Sequence, residues 1–257
     1  MRPRTVAFIQ ARMSSSRLPG KVLKEAGGRA ILDRMVERVR KAKMLDQVVV
    51  ATTVDPSDDE IARFCQAQGI EFTRGSLNDV LDRYYQAARQ YCAEIVVRLT
   101  GDCPLVDPGL IDDVVNALIE NAADFACNRL PPPFSRTYPI GLDVEAVTFA
   151  AFERAWREAK EKHEREHVMP YLYEVPGRFR VVQLDYREDL GGLRWTLDTP
   201  QDLEFLRAVY AALGNRNDFS WLEVLQLVRE HPELSEINAA VKHKSMFDID
   251  SRTGGEA

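Results

Sequence analysis

"TVAFIQARMSSSRLPGK", residues 5–21, runs from a stretch of β-branched and aromatic residues straight into a loop with two arginines, three serines, a proline, a glycine and a lysine. The run shows no alternation of apolar and polar residues, so a strand over 5–10 with both faces covered is predicted. Strands of that kind belong to parallel sheets flanked by helices, and the rest of the first half agrees. Residues 30–42 place Ile31, Met35, Val36 and Val39 on one helical face, and "QVVVATT" (47–53) is the next strand. A helix over 56–69 has Pro at its start and Gly at its end. Strand 70–75, helix 77–91, strand 94–102, helix 108–122 and strand 124–128 follow. That rhythm predicts parallel β-α-β units with right-handed crossovers.

The rhythm breaks at "RLPPPFSRTYPIG" (129–141), where three consecutive prolines predict an excursion over the surface. A strand over 142–149, helices over 150–161 and 165–175 and a strand over 179–186 come next. Helices over 200–213, 219–230 and 233–243 close the fold, and "SRTGGEA" ends a frayed tail. The expected organisation is one α/β domain over 1–243, with an inserted lobe at about 129–185 and a tail over 244–257.

With 34 basic against 40 acidic residues, the net charge of −6 argues against nucleic-acid binding through bulk charge. The positive charge of the first loop is therefore local. Cys65, Cys92, Cys103 and Cys127 form no CxxC pair and no metal-finger spacing, which predicts a reducing, cytoplasmic setting. The N-terminal apolar run is too short for a signal-peptide core, and no stretch approaches the ~20 apolar residues of a membrane span.

In an open parallel sheet, ligands bind at the carboxyl ends of the strands, where the loop 11–20 lies. Arg12, Arg17 and Lys21 offer cationic donors, while Ser14 to Ser16 and Gly20 offer hydroxyls and close backbone approach. The spacing is neither GxxxxGK[ST] nor GxGxxG, and a solvated basic turn is the plain alternative. Asp102 in "RLTGDCPLVDP" (98–108) follows a strand and should emerge at the same edge. It would either cap a turn or, beside a triphosphate, hold Mg²⁺. In "RWTLDTPQDL" (194–203), read as strand, aspartate and helix start, a capping box accounts for Thr199, Pro200 and Asp202. It leaves Asp198 unexplained, and Asp198 becomes the second candidate carboxylate.

Together "IQARMSSSRLPGK", "TGDCPLVDP" and "LDTPQDLEF" resemble the signature segments of the cytidylyltransferases that make CMP-sugars, the acylneuraminate and 3-deoxy-manno-octulosonate enzymes among them. "RGSLNDVLDRY" (74–84), "YPIGLDVEAV" (138–147) and "EREHVMPYLY" (164–173) are similar to the branch called spore coat polysaccharide biosynthesis proteins. The resemblance spans about 4–206. It implies a Rossmann-like, glycosyltransferase-A-like nucleotidyltransferase fold with a mainly parallel sheet, CTP and Mg²⁺ as ligand and cofactor, and a homodimer. It places Ala11, Arg12, Met13, Ser14, Arg17, Lys21, Arg74, Thr100 and Gly101 around the nucleotide and makes Arg12, Lys21, Asp102 and Asp198 the catalytic set. Asp102 and Asp198 are the implied metal ligands. Thr196 stands where acylneuraminate enzymes carry the first acid of an Asp-x-Asp, which is closer to the octulosonate pattern.

An acidic sugar is the expected acceptor, for surface polysaccharide synthesis, with Arg136, Asp143, Glu145 and His167 as candidate sugar-side residues. The plain alternatives are a histidine satisfied on a helix face and exposed acids on an alternating strand. Two other functions fit the residues: nucleotidyl transfer to a sugar phosphate or phosphonate, and a non-catalytic binding relative. With no nucleotide, the cations of the first loop are expected to lack partners and leave it mobile.

Overall fold

Val6 and Phe8 of the first strand face one apolar core, and Ala7 and Ile9 face another. The strand is thus buried on both sides, as its unbroken run predicted. The computed structural model describes residues 2–130 and 136–242. Residues 131–135 of the predicted excursion over 129–141, its three prolines among them, and the predicted tail at 244–257 lie outside the described residues.

The strands in chain order are β1 (Thr5–Gln10), the short hairpin β2 (Glu25–Ala26) and β3 (Arg29–Ala30), β4 (Gln47–Thr53), β5 (Phe72–Gly75), β6 (Ile95–Thr100), β7 (Phe125–Cys127), β8 (Glu145–Thr148) and β9 (Val181–Gln183). Seven of them form one sheet in the order β5-β4-β1-β6-β8-β7-β9. β1 pairs parallel with β4 and β6, and β4 with β5. β8 is the exception, antiparallel to both β6 and β7.

Helices α1 (Ile31–Val39), α2 (Asp59–Gln68), α4 (Pro108–Glu120), α8 (Pro200–Ala212) and α9 (Trp221–Glu230) cover one face. The other is covered by α3 (Val80–Gln90), α5 (Phe149–Glu158) and the short α6 (Lys162–His167) and α7 (Pro170–Tyr173). The last described helix is α10 (Glu233–Glu236). β8 and β9 lie within the region expected as an inserted lobe, and both extend the central sheet rather than forming a sheet of their own.

Three local expectations are corrected. The helix expected over 165–175 is broken at Val168, whose φ of 75° interrupts it between α6 and α7. The stretch before Asp198 makes one parallel bridge, Ile140 to Arg194, instead of a strand. The helix expected over 233–243 stops at Glu236. No helix among the described residues is long and apolar enough to cross a membrane.

Candidate functional site

The chain leaves β1 toward β4 and β5 on one side and returns to place β6 on the other, so the strand order reverses between β1 and β6. Loops leaving the carboxyl ends of these two neighbours therefore face each other across a crevice. Gly101 bridges the edge: its N–H donates to the Gln10 carbonyl at 2.8 Å. A Cβ there would lie 2.8 Å from that oxygen, so only glycine fits.

The next residue, Asp102, is tied through its own backbone to the distant Asp198 segment. Its carbonyl accepts the Leu197 N–H at 2.8 Å and the Thr196 hydroxyl at 3.2 Å. Residues 96 positions apart in the chain are thereby brought onto one cation. Lys21 Nζ lies 2.5 Å from Asp102 Oδ2 and 2.8 Å from Asp198 Oδ1. Burial acts to lower the Lys21 pKa, but Asp102 and Asp198 outweigh it and hold it above the ordinary lysine value.

The loop that delivers Lys21 is folded around the Met13 carbonyl, which accepts the N–H of Ser15 and of Gly20, each at 2.9 Å. The Met13 N–H donates to Asp58 Oδ1 at 2.7 Å, and the other Asp58 oxygen takes the Thr53 hydroxyl. Ala11 is fixed by its N–H to the Ala51 carbonyl at 3.2 Å. Gly20, at φ 67°, turns the chain into the short helix that Lys21 begins. Arg17 pairs with Asp198 Oδ2 at 3.0 Å and also donates to the Lys242 carbonyl at 3.3 Å. The expectation that Arg17 and Lys21 lack partners without nucleotide is thus corrected: both are held by the carboxylates they face.

Asp198 carries a third cation. Arg194 donates to its Oδ2 at 2.9 Å and makes a two-point contact with Asp202, at 2.8 and 2.9 Å. Asp202 is wholly buried; it also accepts the N–H groups of Asp198 and Thr199 and the Asn238 amide, each at 2.9 Å. Burial works to raise the Asp198 carboxyl, but Lys21, Arg194 and Arg17 hold it well below the usual carboxylate range. Cys103, next to Asp102, is pushed well above an ordinary thiol by burial and then by Asp102, so it offers no thiolate nucleophile.

Of the remaining expected nucleotide residues, Arg12 and Ser14 are half-buried on the same loop. Thr100 sits at the end of β6, its hydroxyl 3.3 Å from Cys103 Sγ. Arg74, at the end of β5, donates to the Thr53 and Asp55 carbonyls at 2.7 and 3.1 Å and pairs with Asp59 at 2.7 Å.

Of the expected sugar-side residues, the structure joins Arg136 directly to Asp143. Arg136 makes a two-point contact with Asp143, at 2.6 and 3.0 Å, with Arg129 at 3.9 Å from the same carboxylate. His167 is half-buried at the end of α6. Glu145 is not an exposed strand acid: it is buried and pairs with Arg98 at 2.5 Å, directly across the antiparallel β6–β8 register. Sequence reasoning passed over Asp58, Arg98, Arg194 and Asn238. The only available signal was for Arg194, which lies four residues before Asp198 and eight before Asp202.

Two carboxylates at the mouth of a parallel sheet suit a hard divalent cation completed by phosphate oxygens and water. Among the described residues no three or more His, Cys, Asp or Glu gather around a common point, so a metal held by Asp102 and Asp198 would take its other ligands from outside that described set. The donor set therefore fits Mg²⁺ carried in with a polyphosphate.

A mainly parallel sheet with a basic loop after its first strand and two acids facing it is an architecture shared with the nucleotidyltransferases. The chain belongs to the cytidylyltransferase family, whose model matches residues 6–221. It is 38% identical to an uncharacterised protein of Methanocaldococcus jannaschii, over 95% of this chain and 98% of that one. Identity to the spore coat polysaccharide biosynthesis protein SpsF of Bacillus subtilis is 35%, over 88% and 94%. A 3-deoxy-manno-octulosonate cytidylyltransferase of Anaeromyxobacter dehalogenans is 32% identical, over 80% and 97%. The solved structure of a cytidylyltransferase from Leptospira borgpetersenii superposes with a TM-score of 0.86 at 32% identity, covering 95% of this chain and 99% of that one.

Proposed function

We propose that the chain transfers CMP from CTP to a hydroxyl of an acidic sugar, releasing pyrophosphate, with Mg²⁺ held by Asp102 and Asp198. The single observation that carries this reading is Lys21 Nζ in contact with both carboxylates at the switch point of the sheet. Arg12, Arg17 and Lys21 are the cations that meet the triphosphate, and the backbone from Ala11 to Ser14, with Thr100, Gly101 and Arg74, frames the nucleotide. Bound Mg²⁺ would polarise phosphoryl oxygens and acidify a coordinated hydroxyl. Lys21 and Arg12 stabilise the negative charge that grows on the phosphoryl oxygens during in-line attack. With Cys103 held as a neutral thiol, direct attack by the sugar hydroxyl is the simplest route.

Arg136, with Asp143 orienting its guanidinium, is the proposed partner for the sugar's carboxylate. His167 is the proposed sugar-side hydrogen-bonding group. Glu145 is left out, because its charge is committed to Arg98. The relationship to the octulosonate cytidylyltransferase supports an acidic sugar as acceptor.

Pyrophosphate release, measured with the four nucleoside triphosphates against a panel of acidic sugars and sugar phosphates, tests the reading. CTP with an acidic sugar should give turnover, and Asp102→Asn or Asp198→Asn should reduce it about a hundredfold or more with the fold kept. Near wild-type turnover in either variant at saturating Mg²⁺ would remove the carboxylates from the mechanism.

A further inference from the structure

We propose that Lys21 is the resident cation of the Asp102–Asp198 pair, so that the site admits a divalent metal only when a triphosphate draws Lys21 away. This rests on the reading of the two aspartates as metal carboxylates and adds to it an order of events and a division of labour among the cations.

The geometry separates the partners of Asp198 into exchangeable and fixed. Lys21 and Arg17 flank the turn at Gly20, with side chains 12% and about one quarter exposed, and among the described residues neither is held by a second buried carboxylate of its own. Arg194 is 6% exposed and locked by its two-point contact with the wholly buried Asp202, which Asn238 and two backbone N–H groups also hold. When Lys21 and Arg17 swing to phosphate oxygens, Asp198 keeps Arg194 on Oδ2 and presents Oδ1, and Asp102 presents Oδ2. Arg194 is the positioning residue of the exchange.

Charge favours the same order. Lys21, Arg17 and Arg194 face Asp102, Asp198 and Asp202, three cations against three carboxylates. Inserting a bare divalent cation into that balanced cluster adds positive charge in a partly buried place, where it costs most. A triphosphate carries more negative charge than one divalent cation neutralises, so a metal entering with the nucleotide does not add a net positive charge to the cluster. By linkage, each must then raise the other's affinity at the site.

Mn²⁺ binding to the full chain, followed by electron paramagnetic resonance without acceptor sugar, tests this. Wild type should bind Mn²⁺ weakly alone and at least about tenfold more tightly with CTP, after correction for Mn·CTP in solution. Lys21→Met should bind Mn²⁺ alone about tenfold more tightly than wild type, and CTP should add much less. Lys21→Gln serves if Lys21→Met does not fold. Unchanged Mn²⁺ affinity in a folded Lys21 variant overturns the proposal. A second arm separates the underlying reading: adding Asp102→Asn or Asp198→Asn to the Lys21 variant should abolish its Mn²⁺ site. If neither does, the aspartates are not metal ligands, and both the reading and the proposal fall.

Discussion

Asp102 and Glu145 are two carboxylates near the same edge of the sheet with opposite uses. Asp102 leaves β6 on a glycine and faces Lys21 in a partly open crevice. Glu145 lies inside the sheet, 6% exposed, with its charge met by Arg98. Removing one member of a buried ion pair leaves the other charged and desolvated, which costs about 3–5 kcal/mol. Glu145→Gln should therefore lower stability by about that much in urea unfolding, far more than Asp102→Asn. Equal unfolding midpoints for the two variants would contradict this assignment. Asp58 makes the same point: at 1% exposure it positions the Met13 backbone, although it reads in the sequence as one acid among several at a helix start.

At the scale of elements, α8 shows how a local signal and a distant one share residues. The Thr199 hydroxyl accepts the Asp202 N–H, and the Asp202 carboxylate accepts the Thr199 N–H, a reciprocal capping box with Pro200 at the first helical position. The same carboxylate anchors Arg194, so the start of the helix and the aim of Asp198 are one construction. Thr199→Ala should lose about 1 kcal/mol from the missing cap, read as a shift in thermal midpoint. Asp202→Asn should cost more than Thr199→Ala, because it also strips the charge partner of the buried Arg194.

Across the whole molecule, α1 ties the first and last thirds of the chain together. Arg34 donates to the carbonyls of Ala26, Gly27 and Asn215, and Arg38 to those of Val106, Asn217 and Phe219. Titration reaches the stability of the assembled structure through Asp202 and Lys21. Burial opposes ionisation of Asp202, but Arg194 and Asn238 outweigh it and lower its pKa. Its contribution is then complete above the unfolded value near 4 and is lost as pH falls through the lower folded value. Lys21, raised by Asp102 and Asp198 against burial, contributes fully below its unfolded value near 10.4 and loses that contribution as pH rises through the folded value. Thermal midpoints should stay level between about pH 5 and 10 with respect to these groups and fall outside that range. A midpoint that rises on acidification below about pH 4 would contradict this.

The sequence by itself determined the layered α/β architecture, because unbroken strand runs and 3.6-residue helical faces are local patterns that only a doubly covered sheet satisfies. It also determined the basic loop after β1, Asp102 after its glycine and the capping box of α8, each written in a few adjacent residues. It did not reveal the reversal at β8, since a four-residue strand reads the same in either direction. Nor did it reveal that Glu145 would be neutralised by Arg98, which is 47 positions away. Only the tertiary structure decided that Lys21 would touch both aspartates, that Arg194 would brace one of them, and that Arg17 and Lys21 would have partners. Those facts depend on which strand ends become neighbours, and strand order is set by long-range packing that leaves no periodic trace in the chain.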